Sequence, residues 1–355
     1  MNDTSDTRLL YQQDSLPIFQ NRMYPSEAEA RDCPKGDVRL VEDLETGLVV
    51  NGAFRPELMV YDAHYQNEQG VSLPFREHLD RASGLVQTTL GRLDLVEVGC
   101  GKGFFLEMLL ADGVDVTGFD PTYEGDNPRV RLEYFSPGLE VSAKGLILRH
   151  VLEHVVDPVD FLMNLRDANG GQGLIYIEVP CFDWICENRA WFDIYYEHVN
   201  YFRLSDFSRM FGRVIHAERV FLGQYLAVVA DLASLRHPQI DPADRAAFPD
   251  DFTATIPASA PPGGLVVWGG ASKGVIFSLL CQRAGLDVAA VIDINTAKQG
   301  QYLAASGLRV STPDEVMATL PPGSPIHVMN PNYLSEIRDM SNNAFTYIEV
   351  SHEHL

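Results

Sequence analysis

Apolar residues in the middle of this sequence form short runs that alternate with segments of helical periodicity. Strand-like runs lie at residues 95–98, 114–119, 146–149, 174–179 and 226–230, and helical segments lie at 104–110 and 158–165. Asp157 and Pro158 are typical of a helix start, because aspartate caps free amide groups and proline is tolerated in the first turn. Apolar strands that alternate with helices predict an α/β domain with a mostly parallel, Rossmann-like sheet covered by helices on both faces.

A second alternating unit follows a proline-rich stretch. Residues 237–263 carry six prolines among alanine, aspartate and serine, which is typical of a linker. Strand-like runs then lie at 265–268, 288–292, 309–310 and 326–329, with a helical segment at 274–284. This pattern predicts a second, C-terminal Rossmann-like domain over residues 264–355.

Residues 1–85 show no sustained period. Prolines at positions 17, 25, 34, 56 and 74 interrupt every candidate helix except 26–31, and strand-like runs at 38–41 and 48–50 flank a turn. We expect an N-terminal lobe or lid that gains its stability from the first α/β domain, which the pattern places at residues 86–236.

Composition limits the classes of binding partner and indicates the cellular compartment of the protein. A length of 355 residues exceeds what one hydrophobic core usually supports, and a net charge of −22 disfavours binding to nucleic acid or anionic membranes. The N-terminus is polar, no apolar run of about 18 residues is present, and the five cysteines lack a paired spacing. These features predict a cytoplasmic protein with reduced thiols.

A glycine-rich turn follows the first buried strand, in the sequence Glu97-Val98-Gly99-Cys100-Gly101-Lys102-Gly103. Glycine lets the backbone turn sharply and lets a ligand lie against it, so the turn fits a nucleotide or a nucleoside. Glu97 stands in an apolar strand, where the amino group of a zwitterionic ligand would offset the cost of burying a carboxylate. Asp120 ends the next strand, about 20 residues further on, where a carboxylate can accept ribose hydroxyls; a structural turn is the alternative.

These motifs resemble the class I methyltransferases that use S-adenosylmethionine. The resemblance is carried by the glycine turn, by Gly118-Phe119-Asp120-Pro121 and by Arg149-His150-Val151-Leu152-Glu153-His154. In that superfamily the first motif cradles the methionine part, the acid at the second strand holds the ribose, and the fourth-strand region lines the methionine side. The resemblance implies S-adenosyl-L-methionine as the cofactor, bound by Glu97, Gly99, Cys100, Gly101, Gly103, Phe119, Asp120, Pro121 and His150.

The segment from Trp191 to Phe202 is dense in aromatic rings and proton-carrying groups. A histidine beside a carboxylate and several phenols can remove a proton and steady the resulting anion, and aromatic rings suit stacking on a sugar or base. An aromatic core turn with His198 hydrogen-bonded to the backbone is the structural alternative. The segment follows the strand that ends at Pro180, on the carboxyl edge where α/β proteins bind their ligands.

The run Tyr196-Glu197-His198-Val199-Asn200-Tyr201-Phe202 matches the Tyr-Glu-His-x-x-Tyr-Phe signature of the sugar C-methyltransferases. The chain resembles that family over residues 17–340, and the family methylates nucleotide-linked deoxysugars. The resemblance implies deprotonation of a carbon next to a ketone, followed by attack of the enolate on the donor methyl group. The implied catalytic residues are His198 as base, Glu197 as its orienting partner, Tyr196 or Tyr201 near the oxyanion, and His154 as a second candidate.

A second glycine turn, Gly269-Gly270-Ala271-Ser272-Lys273-Gly274, opens the helix of the C-terminal unit. Its free amides could bind a phosphate and Lys273 would add positive charge, although an ordinary strand-to-helix crossover is the alternative. Asp293 lies 24 residues beyond Gly269, as in NAD-binding domains, but the turn is not GxGxxG, and we favour the nucleotide of the substrate. The predicted substrate-binding residues are Tyr65, Gln224, Tyr225, Ser272, Lys273, Asp293 and Asn295.

The N-terminal lobe departs from the sugar C-methyltransferases, whose members usually bind zinc there through two cysteine pairs. Cys33 stands alone in this lobe, so we expect a zinc-less branch and no metal. Methylation of oxygen or nitrogen in a small secondary metabolite is the alternative within the superfamily. The alternatives from other classes are an NAD-dependent oxidoreductase and a non-catalytic nucleotide-binding protein.

Overall fold

A computed structural model describes residues 6–59, 72–139 and 141–350 of the chain. Within these ranges the strands form three sheets and one short strand pair. The strands of the N-terminal lobe are β1 (Thr7–Pro17), β2 (Met23–Tyr24), β3 (Lys35–Asp43) and β4 (Val49–Asn51). Those of the central region are β5 (Leu95–Val98), β6 (Val116–Phe119), β7 (Val130–Arg131), β8 (Gly145–Arg149), β9 (Leu174–Pro180), β10 (Asn200–Tyr201), β11 (Val214–Val220) and β12 (Tyr225–Asp231). Those of the C-terminal unit are β13 (Leu265–Trp268), β14 (Val288–Ile292), β15 (Tyr302–Leu303), β16 (Val310–Ser311), β17 (Pro325–Val328) and β18 (Thr346–Glu349).

The helices are distributed over the same three units. They are α1 (Glu27–Arg31), α2 (Leu73–Thr89), α3 (Phe104–Ala111), α4 (Pro158–Ala168), α5 (Phe182–Glu187), α6 (Leu204–Met210), α7 (Lys273–Arg283), α8 (Pro313–Met317) and α9 (Leu334–Met340). The expected start of α4 is confirmed, because the Asp157 side chain accepts a hydrogen bond from the Asp160 amide at 2.9 Å. Among the residues described, no helix is both long and apolar enough to span a bilayer.

The central sheet has seven strands in the order β7-β6-β5-β8-β9-β12-β11. The strands from β7 to β9 are parallel, and β12 runs antiparallel to both of its neighbours. The C-terminal sheet, in the order β16-β14-β13-β17-β18, is parallel throughout. The predicted α/β fold, with a mostly parallel Rossmann-like central sheet and a second such unit, is confirmed.

The N-terminal lobe is joined to both other units by backbone pairing. Its four-stranded sheet has the order β1-β3-β4-β10, so the last strand comes from the central region, and β2 pairs with β15 of the C-terminal unit. One hydrophobic cluster also runs through all three units. The proline-rich residues 237–263 pack on this assembly, for example through Ala246, whose amide donates to the buried Glu42 at 2.7 Å.

The expectation that prolines interrupt almost every helix in residues 1–85 is wrong for α2. Pro74 lies in the first turn of α2, where no intrahelical amide bond is lost. The buried face of this helix includes Phe75, Leu79, Ala82 and Val86, which belong to the same cluster as β5. The helix therefore packs on the central sheet, although it crosses the boundary at residue 85 that the sequence predicts.

Replacing Leu79 with alanine should test this packing. Leu79 is 1% exposed, so truncation should lower the free energy of unfolding by about 2–5 kcal/mol through lost burial and a residual cavity. Leu73 of the same helix is 63% exposed, and Leu73→Ala should change stability by only about 0.5 kcal/mol. Denaturant unfolding of the two variants makes the comparison, and equal losses would contradict the placement of α2.

Candidate active site

The first glycine turn adopts a backbone that glycine accommodates best. Gly99, Gly101 and Gly103 have φ angles of 72°, 54° and 80°. A Cβ atom on Gly99 would lie 2.5 Å from the Val151 side chain, whereas a Cβ on Gly101 would have no neighbour within 4 Å. The turn therefore packs against the segment after β8 on one side and leaves space beside Gly101.

The Glu97 carboxyl is buried at the base of this turn. It is 3% exposed, and its Oε2 has no hydrogen-bond partner among the described residues. Burial raises the pKa of Glu97 to about 8 and outweighs the opposing charge of Arg149. A ligand amino group would satisfy this carboxyl, as the sequence predicts, and its role stays a prediction.

Asp120 has a structural task at the end of β6. Its Oδ2 accepts from the Gly101 amide at 2.8 Å, and its Oδ1 accepts from the Thr122 amide and hydroxyl, each at 2.8 Å. The carboxylate thus braces the glycine turn. Because a carboxylate offers about four lone-pair sites, these bonds leave capacity for a ligand hydroxyl.

Three further residues predicted to bind the cofactor lie in different surroundings. Phe119 is buried against Phe135, with ring centroids 5.1 Å apart, and contributes to the core below the turn. Burial raises the pKa of the Cys100 thiol to about 12, so the thiol stays protonated. Pro121, directly after Asp120, is exposed to solvent.

Glu178, a fully buried carboxylate on β9, has four side-chain partners. Its Oε1 lies 2.9 Å from His78 Nε2, 2.8 Å from Arg149 Nη2 and 3.1 Å from His150 Nε2, and Tyr176 donates to its Oε2 at 2.6 Å. Burial favours the neutral acid, but these cationic and donor groups hold the pKa of Glu178 well below its usual range.

His150 connects this carboxylate to a second one. Its Nδ1 lies 3.3 Å from Glu153 Oε1, while its Nε2 faces Glu178. Burial alone would lower the pKa of His150, but the hydrogen bonds to Glu153 and Glu178 raise it to about 9. The imidazole is therefore a cation at neutral pH, held in a left-handed backbone conformation with φ of 52°.

Glu153, His154 and His198 form a cluster next to His150. Possible ligand atoms of the three residues lie within 4.8 Å of one another, and the two imidazole rings are 5.0 Å apart. The backbone holds them together, because the Val199 amide donates to the Glu153 carbonyl at 2.7 Å. Burial lowers the pKa of His198 to about 3, so its imidazole is neutral.

The other predicted catalytic residues have contacts of their own. Tyr196 Oη accepts from the Arg55 amide at 3.0 Å, and Tyr201 Oη bonds to both the amide and the carbonyl of Tyr195 at 3.0 Å. The Glu197 carbonyl accepts from His154 Nδ1 at 3.0 Å, and the Glu197 carboxylate lies 3.9 Å from the same nitrogen. Both phenols therefore bind backbone groups, and their roles near an oxyanion stay predictions.

The second glycine turn faces the aromatic segment. Lys273 Nζ donates to Gln224 Oε1 at 2.7 Å, pairs with Asp193 Oδ2 at 3.1 Å and lies 4.8 Å from the Trp184 ring. The ammonium group predicted to meet a phosphate is thus engaged by groups of the central region. It links the C-terminal unit to the loop that carries His198.

The remaining predicted substrate residues are dispersed. Asp293 accepts from the amides of Gly270 and Asn295, at 2.9 Å and 2.8 Å, and Ser272 donates to Asn21 at 2.8 Å. Tyr225 lies beside the cluster, with its ring 4.7 Å from that of His150. Tyr65 lies outside the described residues.

Three residues of the site, Glu178, His78 and Tyr176, are not predicted from the sequence, and Glu153 has no predicted role. Glu178 interrupts the apolar run of β9 in the same way that Glu97 interrupts β5, and that was a usable signal. His78 could not be found in this way, because it lies on a helix that the proline pattern obscured.

Comparison with known proteins gives a family match over part of the chain. Residues 67–214 match the sequence model of a family described as a methyltransferase domain. No curated protein matches the sequence.

Several solved structures are similar at low identity. The 1,6-didemethyltoxoflavin-N1-methyltransferase of Burkholderia thailandensis is 18% identical, with a TM-score of 0.34, over 43% of this chain and 77% of that chain. The plantazolicin methyltransferase BpumL is 13% identical, with a TM-score of 0.36, over 47% and 87%. An S-adenosylmethionine-dependent methyltransferase of Mesorhizobium loti is 14% identical, with a TM-score of 0.34, over 43% and 99%.

Glu97→Gln should change how stability depends on pH. Between the ordinary carboxyl pKa of 4.5 and about 8, the unfolded chain has Glu97 ionised while the folded protein keeps it protonated. Folding then takes up a proton, so Glu97 lowers wild-type stability as pH rises through this window, by at most about 1.4 kcal/mol per pH unit.

The measurement is the free energy of unfolding of both proteins from pH 5 to 8. Glu97→Gln lacks this loss, so its stability relative to wild type should increase with pH. Glu107→Gln, at an exposed position on α3, is the matched control and should follow the wild-type curve. A Glu97→Gln curve parallel to wild type would contradict the raised pKa.

Proposed function

We propose that this chain, a class I methyltransferase that uses S-adenosyl-L-methionine, methylates a carbon next to a ketone in a nucleotide-linked deoxysugar or a similar small metabolite. One observation carries the proposal: the glycine turn, with its unpaired buried carboxyl, lies at the same sheet edge as the two imidazoles of His154 and His198. β5 and β8 are adjacent parallel strands, so the segments after them meet at that edge.

The donor would be held by the turn after β5. The Glu97 carboxylate would take the amino group of the methionine part, and this pairing would stabilise its ionised form. The space beside Gly101 would admit the ligand against the backbone, and Asp120 would accept one ribose hydroxyl with its remaining lone pair. His150 would line the methionine side.

The acceptor would lie against His198. A neutral imidazole is the form that accepts a proton, and the nearby Glu153 carboxylate would stabilise the resulting imidazolium. The C–H bond electrons would form the enolate, whose carbon attacks the sulfonium methyl group. The S–CH₃ bond breaks as the new C–C bond forms, and S-adenosylhomocysteine leaves as a neutral thioether. His154 is the second candidate for the base.

Oxygen methylation is the second candidate function. Burial lowers the pKa of His198 to about 3, and so weak a base takes a proton more readily from an acidic hydroxyl than from carbon. The same cluster and donor site would serve both reactions.

The nucleotide part of the acceptor would reach the C-terminal unit. Lys273 would then have to leave Asp193 to meet a pyrophosphate, which would couple substrate binding to the loop of His198. The five described cysteines are free and buried, which supports a reducing, cytoplasmic location.

Gly101→Ala should weaken binding of S-adenosylhomocysteine by tenfold or more. The added methyl group meets no protein atom within 4 Å, so it would occupy space that the proposal gives to the ligand. Gly170→Ala is the matched control, because Gly170 also has a positive φ and an open Cβ position but lies after α4. Calorimetry should show weaker binding only for Gly101→Ala, and equal affinities would argue against this donor site.

His198→Ala should remove turnover and leave S-adenosylhomocysteine affinity within about twofold, because the proposed base contacts the acceptor rather than the donor. The assay offers a nucleoside-diphosphate keto-deoxyhexose in deuterated water and detects the product by mass spectrometry. Deuterium exchange at the carbon next to the ketone, lost in His198→Ala, supports C-methylation. Methylation without exchange, giving an ether, supports the oxygen alternative.

A further inference from the structure

Two buried polar atoms in the cluster of Glu153, His154 and His198 have no hydrogen-bond partner among the described residues. They are Glu153 Oε2 and His198 Nδ1, on residues that are 1% and 9% exposed. A buried polar atom that is left unsatisfied costs folding free energy, so such a pair at one place calls for an explanation. A carboxylate oxygen and an unprotonated imidazole nitrogen can each donate an electron pair to a metal ion.

His154 offers a third possible ligand atom, its Nε2, because the position of its proton can be assigned. Its Nδ1 lies 3.0 Å from the Glu197 carbonyl, which can only accept, so Nδ1 carries the proton. The lone pair is therefore on Nε2. Metal-binding histidines commonly donate their other ring N–H to a backbone carbonyl in this way, which fixes the tautomer and the ring orientation.

The Glu153 carboxylate is also fixed by a contact with His150 outside the cluster. His150 Nδ1 lies 3.3 Å from Glu153 Oε1, so the unpartnered Oε2 is the oxygen left for a ligand. His150 is in turn fixed by Glu178. The Glu197 carboxylate, 3.9 Å from His154 Nδ1, adds negative charge on that side of the cluster.

We propose that Glu153, His154 and His198 bind one divalent first-row transition-metal ion, with Zn²⁺ as the representative. Two imidazoles and one carboxylate, with ligand atoms within 4.8 Å of one another, match the donor types and number of catalytic zinc and iron sites that keep open positions. The sequence predicts no metal, because the N-terminal lobe lacks the two cysteine pairs; the site proposed here departs from that prediction and uses imidazole and carboxylate ligands instead of thiolates.

This site goes beyond the proposed function and does not depend on the acceptor. An ion with open positions at this edge would polarise a ketone or hydroxyl oxygen of the acceptor as a Lewis acid. His198 would then be a ligand, so its use as a base belongs to the ion-free protein. Metal binding and methyl transfer are therefore measured separately.

The test uses the full chain, freed of metal with a chelator and then titrated with Co²⁺, whose visible absorption reports nitrogen and oxygen ligands. We expect one Co²⁺ per chain, displaced by Zn²⁺. Glu153→Gln and His154→Ala should each weaken Co²⁺ binding by more than tenfold. His216→Ala, which removes a surface histidine paired with Glu218, is the matched control and should bind as wild type does.

His154 is chosen over the more buried His198 because its side chain is 24% exposed, and circular dichroism with thermal unfolding verifies that each variant folds. Absence of a stoichiometric Co²⁺ site in the wild type, or equal affinity in all four proteins, would overturn the proposal. Failure to bind S-adenosylhomocysteine while Co²⁺ still binds would count against the proposed function alone.

Discussion

The buried carboxylate of Glu178 is the constraint on which the site depends. It lies in the interior of the central sheet, where an isolated negative charge would be costly, and it is stabilised only because His78, Arg149, His150 and Tyr176 converge on it. These partners come from α2, from the end of β8 and from β9. One charge thus fixes a helix, two strands and the left-handed turn at His150 that leads into the Glu153 cluster.

The strands and glycine turns could be predicted from the sequence because their signals are local. The runs at 265–268 and 288–292 coincide with β13 and β14, and the glycine turns follow the expected strands. The sequence does not predict β1, because its side chains are mostly exposed or half-buried and show no regular alternation. It does not predict α2, because a proline in the first turn resembles a proline that breaks a helix.

The site could be predicted only in part, because its contacts join distant segments. His78 is 100 residues from Glu178, and His154 is 43 residues from the carbonyl of Glu197 that fixes its tautomer. No local pattern encodes such pairs. Lys273 shows the same limit: its place in a glycine turn suggests a phosphate ligand, whereas its actual partners, Asp193 and Gln224, come from another unit.

The two glycine turns share one hydrogen bond and differ in the strand that precedes them. In each, an aspartate at the end of the second strand accepts a hydrogen bond from a backbone amide of the turn, that of Gly101 in the first and that of Gly270 in the second. The spacing of glycines and acid is therefore explained by the turn itself. What separates them is the residue two positions before the first glycine, which is Glu97 in the first turn and the apolar Val267 in the second.

The path of the chain around Val199 limits how this protein can diversify. The Val199 amide bonds to Glu153 while its carbonyl accepts from Asn51, so the residue after His198 is shared between the central region and the N-terminal lobe. A lobe taken from a relative could replace this one only if its own strand met the segment after His198 in the same register. The position of the histidine loop therefore depends on the strand register of the lobe.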